Sequence, residues 1–246
     1  MKTALVTGAS RGIGAAVAAR LGRDGYHVVV NYHSNEDAAR AVAQDIESAG
    51  GTAQIFRADV REPAEVAELV AACPQIDLLV CNANITPTFA PLSDMSWKDF
   101  SEKVTGELAA AFHVTQKALD LMRGQQSGQI VYVSSIASET TTPGSVSHST
   151  AKAALDTFAR HVAAEAGRFG VTVNIVAPGM VRTDASAVAR TEQLEAALAG
   201  NSVLGRVTDP EDVAAVIASI AAGGFRAVSG ARITIDGGNH LLRQTW

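Results

Sequence analysis

The chain has 246 residues, of which 47% are hydrophobic and 18% charged, so it carries ample material for a packed core and no compositional case for disorder. Lys plus Arg number 20 against 25 Asp plus Glu, and the formal net charge of -5 argues against a phosphate-coating surface and against nucleic acid as a partner. The two cysteines, Cys73 and Cys81, exclude a disulfide scaffold or a multi-cysteine zinc site. Short apolar runs rich in β-branched residues recur at positions 4–7, 27–31, 52–57, 78–81, 130–133, 172–176 and 232–235. They are near-continuous rather than alternating, as expected of strands covered on both faces. Ala-rich segments with helical spacing lie between and around them, at 13–23, 36–49, 63–72, 97–122, 146–168 and 210–222. Pro63 and Pro210 stand where a first-turn proline belongs. Repeated strand–helix–strand crossovers predict an α/β fold: a doubly wound parallel sheet with helices on both faces, in a single domain over 1–246. Residues 183–205 form a long connection after a strand end, and this position predicts a lid that is mobile without ligand.

Directly after the first strand the chain reads Thr7-Gly8-Ala9-Ser10-Arg11-Gly12-Ile13-Gly14. Glycines at 8, 12 and 14 let the backbone turn sharply and approach a pyrophosphate, and the helix that follows offers its free N–H groups to the anion. A glycine-rich turn alone describes only a tight bend, but one between a strand and a helix predicts a dinucleotide site. The second strand ends Asn31-Tyr32-His33-Ser34. An NAD site would place an acid here to hold the ribose hydroxyls. Asn31 in its place, with His33, Ser34 and Arg11 as donors, predicts NADP(H) as the cofactor. No histidine cluster has metal-ligand spacing, and no metal is expected. The opening segment is too short in apolar length for a signal peptide, and no run approaches the roughly 18 residues of a membrane span. A cytoplasmic protein with no membrane partner is the expectation.

The whole chain resembles the short-chain dehydrogenase/reductase family, most closely its 3-oxoacyl-(acyl-carrier-protein) reductase-like members. Thr7 to Gly14 matches the family's glycine turn. Asp59-Val60 matches the pair beside the adenine ring, and Asn82-Ala83-Asn84 stands where the family has Asn-Ala-Gly. Pro178-Gly179, Val181 and Thr183 match the segment that meets the nicotinamide amide, and Asp236-Gly237-Gly238 matches the last strand and turn. The resemblance implies a Rossmann-type sheet, a nicotinamide cofactor, and a homotetramer, with a hetero-oligomer as the alternative.

It also exposes a departure. The family's reductases use Asn, Ser, Tyr and Lys. Lys152 lies in a matching context and Ser135 fits the serine, but His148 stands at the tyrosine and Glu107 at the asparagine. Lys152 would hold the nicotinamide ribose and Ser135 would donate to a carbonyl oxygen. His148, as imidazolium, would give the proton, so reduction is expected to be faster in mild acid. A neighbouring Lys152 would lower the His148 pKa and Glu107 would raise it. The Lys152 and Asp156 pair can also be read as a simple surface helix pair. Three readings follow. The first is an NADPH-dependent ketoreductase acting on a small-molecule or acyl-carrier-bound β-ketoacyl or polyketide-like carbonyl. The second is an isomerase, cyclase or dehydratase with Glu107 and His148 as an acid/base pair. The third is a catalytically silent nucleotide-binding subunit.

Overall fold

A computed structural model describes residues 1–183 and 191–242, apart from the side chain of Leu194. The strands are β1 (Thr3–Val6), β2 (His27–Tyr32), β3 (Thr52–Arg57), β4 (Leu78–Cys81), β5 (Gly128–Val133), β6 (Val171–Pro178) and β7 (Arg232–Ile235). The helices are α1 (Gly12–Arg23), α2 (Glu36–Ser48), α3 (Pro63–Ala71), α4 (Trp97–Gln125), α5 (Val146–Ala166), α6 (Glu192–Gly200), α7 (Pro210–Ser219) and the short α8 (Asn239–Leu242). All seven strands join one sheet in the order β3-β2-β1-β4-β5-β6-β7, and every pairing is parallel. The order reverses direction between β1 and β4, so the crevice where an open α/β sheet binds its ligand lies above those two strands.

Both faces of the sheet are buried, and strand alternation divides the core in two. Leu5, Val29, Leu79, Ile130, Tyr132 and Ile175 pack against α3, α4 and α5, while Val6, Val30, Val80, Val131 and Val176 pack against α1, α2 and α7. This explains the continuous apolar runs of the sequence. Helix starts follow local chemistry. Asn35 accepts from the Ala38 N–H at 3.0 Å to begin α2, and Ser96 accepts from the Asp99 N–H at 3.0 Å to begin α4. Pro63 and Pro210 occupy first-turn positions, and Asp209 with Asp212 forms a capping box at α7.

Several expected boundaries move by a few residues, three of them for identifiable reasons. Thr7 leaves the first strand because its hydroxyl turns to the loop after β4. The fourth helix runs on to Gln125, and Gln126 ends it at φ 56, a left-handed cap made without glycine. The sixth strand extends to Pro178 because β7 pairs with it as far as Ile235.

Tyr132 is fully buried and its hydroxyl lies 2.7 Å from the Thr115 hydroxyl on α4. Tyr132→Phe should therefore cost about 1 kcal/mol. In a chain of this size that is a fall of roughly 2–4 °C in melting temperature, measurable by calorimetry.

Candidate active site

The cradle above β1 is built from hydrogen bonds between two strand ends. The Thr7 hydroxyl donates to Val80 O at 3.3 Å and accepts from the N–H groups of Asn82 and Ala83, each at 3.0 Å. The Asn82 amide donates back to Thr7 O at 2.9 Å and to Gly8 O at 3.0 Å. Gly8 and Gly12 have φ of 61 and 56, a backbone that side chains disfavour. A Cβ on Gly14 would stand 2.4 Å from Gly8 O and 2.5 Å from Asn82 Nδ2, and one on Gly8 would stand 2.9 Å from Ala83 Cα. Asn82 and Ala83 thus shape the turn from beneath. Arg11 begins α1 with no side-chain cap bond, so the first N–H groups of α1 keep their capacity for an anion. Ser10, Gly12 and Ile13 line the same turn and are partly buried. A Cβ on Gly12 would lie 3.2 Å from Thr183 Cγ2, which brings the segment after β6 up to the glycine turn. Within that segment Pro178 and Val181 are buried, and the Gly179 N–H donates to Ile235 O at 2.9 Å. These residues fit a dinucleotide: a side-chain-free turn, a helix start aimed at it, and three strand ends around it.

Asn31 corrects one expectation. It is 2% exposed, and its side chain accepts from the Gly8 N–H at 3.2 Å and donates to Ala58 O at 3.1 Å. Strand alternation turns it inward, so it shapes the glycine turn instead of facing a ribose. His33 and Ser34, one and two residues beyond the strand, are exposed. The sequence reading missed Arg57, which reaches His33 O from the end of β3 at 3.2 Å. Asp59 lies 3.6 Å from His33 Nε2, and Arg61, forked onto its carboxylate, holds it at about 2. Val60 beside it is buried.

Of the four expected site residues, the structure joins Glu107 and Lys152 directly, with His148 on the same helix as Lys152. Ser135 follows β5 and its hydroxyl accepts from the Ala137 N–H at 3.2 Å, beginning a short turn over Ile136–Ser138. His148 and Lys152 stand one turn apart on α5. Lys152 Nζ donates to Val133 O at 2.9 Å and to Glu107 Oε1 at 2.6 Å. Lys103, absent from the sequence reading, completes the group. Its ammonium donates to Glu107 Oε2 at 2.6 Å, Ile85 O at 2.7 Å and Asn84 Oδ1 at 2.8 Å, using all three protons. The Ile85 N–H donates to Glu107 Oε2 at 3.1 Å. Only the i,i+4 spacing of Lys103 and Glu107 announced this pair, and that spacing ordinarily marks a solvated helix face.

The cluster is dry: Lys103 and Glu107 side chains are each 1% exposed and Lys152 is 5% exposed. Burial alone would raise the Glu107 carboxyl, but Lys152 and Lys103 overcome it and hold it at about 2. Burial lowers Lys103 to about 8 despite Glu107, which leaves it charged at neutral pH. One carboxylate between two ammonium groups carries one net positive charge. That charge acts on His148. Burial first, then Lys152 and Lys103, lower its pKa to about 4 against the opposing pull of Glu107. The imidazole is neutral at pH 7, which corrects the expected imidazolium donor. Its Nδ1 is buried with no partner, and its ring lies 6.2 Å from the exposed Phe89 ring.

Two further expectations change. Both Glu107 oxygens are engaged by lysines and by the Ile85 N–H, so Glu107 is not an acid/base partner of His148. Asp156 makes no surface pair with Lys152; it is buried against Arg232 and Ser138. Residues 184–190 of the expected lid lie outside the described residues. Among the described residues no group of three or more His, Cys, Asp or Glu could hold a metal ion, and no helix is long and apolar enough to cross a membrane.

Sheet order, cradle and side-chain cluster together define a dinucleotide-binding protein with a reactive edge at the carboxyl ends of β4, β5 and β6. A family profile described as enoyl-(acyl carrier protein) reductase matches residues 8–240. Versicolorin reductase 1 of Aspergillus parasiticus is 38% identical over 253 residues, covering 96% of this chain and 95% of that protein. A 3-oxoacyl-(acyl-carrier-protein) reductase of Synechocystis is 38% identical over 243 residues, covering 96% of each. Among solved structures, the promiscuous reductase LugOII, titled as catalysing keto-reduction at C1 during lugdunomycin biosynthesis, superposes with a TM-score of 0.90 at 35% identity over 98% of each chain. The chain belongs to the short-chain dehydrogenase/reductase family, in its 3-oxoacyl-(acyl-carrier-protein) reductase-like branch, and is an oxidoreductase with a nicotinamide cofactor.

Gly14→Ala should lower nucleotide affinity at least about tenfold, or ~1.4 kcal/mol, because the new methyl must displace Gly8 O and Asn82; titration calorimetry measures it. The lowered His148 pKa also has a sign for stability. The folded state refuses a proton that the unfolded chain accepts between about 6.5 and about 4, so the contribution is present above 6.5 and lost as pH falls through that window. His148→Phe should lose less stability than the parent between pH 7 and 4.5, as followed by thermal melts at each pH.

Proposed function

We propose that the protein is an NADPH-dependent ketoreductase for a β-ketoacyl or polyketide-like carbonyl, with neutral His148 as proton donor in place of the family's tyrosine. The observation that carries this reading is the buried, net-positive Lys103–Glu107–Lys152 cluster beside His148. Positive charge disfavours imidazolium, and the same charge favours the imidazolate left when a neutral ring gives up its N–H proton. A neutral imidazole is a competent hydrogen-bond donor to a developing alkoxide. The cluster therefore plays toward His148 the part that a lysine ammonium plays toward a tyrosine hydroxyl.

When bound, the nicotinamide supplies the hydride. The chain's own residues do the rest. Gly8, Gly12 and Gly14 with the start of α1 hold the pyrophosphate. Lys152 spends two of its three protons on Glu107 and Val133 and keeps the third for a ribose hydroxyl. The Ser135 hydroxyl, an acceptor from the Ala137 N–H, has its own proton for the substrate carbonyl oxygen. His148 delivers a proton to that oxygen and recovers one from solvent. Phe89, 67% exposed beside His148, and Met180, 36% exposed after Gly179, offer apolar surface to the substrate. The printed names of the relatives support the substrate class.

For the cofactor, the exposed Arg11, His33 and Ser34, with Arg57 behind them, support NADPH over NADH. An assembly of four copies belongs to the same proposal. Trp97 and Phe112 on α4 are exposed, and β7 ends the sheet.

Arg11→Ala should weaken NADPH binding by about 1.5–3 kcal/mol more than NADH binding, the worth of a charge-assisted contact to the 2′-phosphate. Equal losses measured by calorimetry would remove the NADPH assignment. His148→Phe should keep nucleotide binding and lose about 10²–10⁴-fold in kcat with β-ketoacyl thioesters or quinones. The parent's kcat should change less than about threefold between pH 8 and 5.5, because the donor form is already fully populated. A rate that climbs tenfold per unit toward acid would restore imidazolium as the donor. Nucleotide binding without turnover of any carbonyl in the panel would favour the silent subunit.

A further inference from the structure

We infer that Arg232, at the start of β7, is a positioning residue for the reaction: it clamps the carbonyl of Ser135 to α5 and so sets the serine hydroxyl against His148 and Lys152. The inference rests on the reductase reading of this site.

The geometry begins on α5. His148, Lys152 and Asp156 are spaced by four, so they share one face of the helix. The first two belong to the reactive cluster, and the third is buried, its side chain 4% exposed. A carboxylate at that depth requires a partner. Arg232 supplies it across the sheet, with Nε 3.1 Å from Asp156 Oδ2. The rest of the guanidinium is also committed. Nη1 donates to Thr234 Oγ1 at 3.0 Å and lies 2.9 Å from Glu139 Oε2, while Nη2 donates to Ser135 O and Ser138 Oγ, each at 3.0 Å. Four hydrogen bonds and the ion-pair contact with Glu139 thus commit the fork, and the side chain is 12% exposed.

Ser135 has few other anchors. Its hydroxyl oxygen accepts from the Ala137 N–H at 3.2 Å, a bond inside the same short turn, and its proton must stay available to a substrate. Its carbonyl is the remaining handle. The Ser138 N–H reaches it at 3.1 Å within the turn, a local bond that does not fix the turn against the helix. Ser138 Oγ has a single proton, and its 2.6 Å approach to Asp156 Oδ2 takes that proton more strongly than the 3.0 Å approach to Ser135 O. Arg232 is then the long-range side-chain donor to this carbonyl. Through Asp156 it refers Ser135 to the same helix that carries His148 and Lys152. A lysine at 232 could satisfy Asp156 as a point charge but could not span to Ser135 O at the same time.

The test compares Arg232→Lys and the charge-removing pair Arg232→Met/Asp156→Leu with the parent, each also in a Ser135→Ala background. A clamp acting through Ser135 predicts a kcat loss of about 10- to 100-fold with a KM for NADPH within about twofold, as small misplacements at a reacting centre produce. In the Ser135→Ala background the same changes should cost less than about twofold. Equal losses in both backgrounds, or a KM for NADPH that rises with the loss in kcat, would overturn the clamp. Hydrogen exchange supplies a readout independent of turnover. The amides of Ala137 and Ser138, bonded to Ser135 Oγ and Ser135 O, should exchange faster in Arg232→Lys while those of β5 and α5 do not change. Unchanged exchange would refute the clamp. A parent that reduces no carbonyl, with accelerated exchange in the variant, would refute the reductase reading and leave the clamp standing.

Discussion

The buried carboxylate of Glu107, gripped by two ammonium groups, is the constraint on which the rest of the site depends. Removing such charges from water is expensive, and the cost is recovered only when every lone pair and proton finds a partner. Here they do. Glu107 takes Lys152 on one oxygen and Lys103 with the Ile85 N–H on the other. Lys103 then ties Asn84 and Ile85, fixing the loop that leaves β4. The loop's first residues, Asn82 and Ala83, shape the glycine turn that cradles the nucleotide. One ion cluster thus connects the loop beneath the glycine turn with α4 and with α5, which carries His148.

The cluster sets the sign of the field around it: one Glu107 carboxylate lies between the Lys103 and Lys152 ammonium groups, so the balance is positive. His148 stands in that positive field, where the protonated ring is disfavoured and the neutral ring persists. Changing Glu107 alone to asparagine would leave Lys103 buried without its carboxylate, so the two must be changed as a unit.

Much of this was legible in the sequence, and the limits have physical causes. Strand runs and first-turn prolines fixed the parallel sheet, because a doubly covered strand cannot hide its apolar composition. The glycines at 8, 12 and 14 announced the cradle, since no other residue tolerates those backbone angles and approaches. Asn31 misled because a polar residue at a strand end reads as facing solvent, whereas the period of two turned it beneath the turn. Lys103 and Arg232 stayed hidden because their neighbours are distant in the chain. A lysine four residues before a glutamate, or an arginine in an edge strand, looks solvated until tertiary packing closes over it. The state of His148 was undetermined for the same reason: Lys152 was visible, while the burial and the second ammonium were not.

The central claim is the charge state of His148, and it is read most directly by nitrogen NMR of histidine-labelled protein. The ring nitrogens of His148, assigned with His148→Phe, should report neutral imidazole from pH 8 down to 5, with protonation setting in only toward pH 4. An imidazolium signal for His148 at pH 6 to 7 would contradict the account, because the Lys103–Glu107–Lys152 cluster would then not impose the positive field assigned to it.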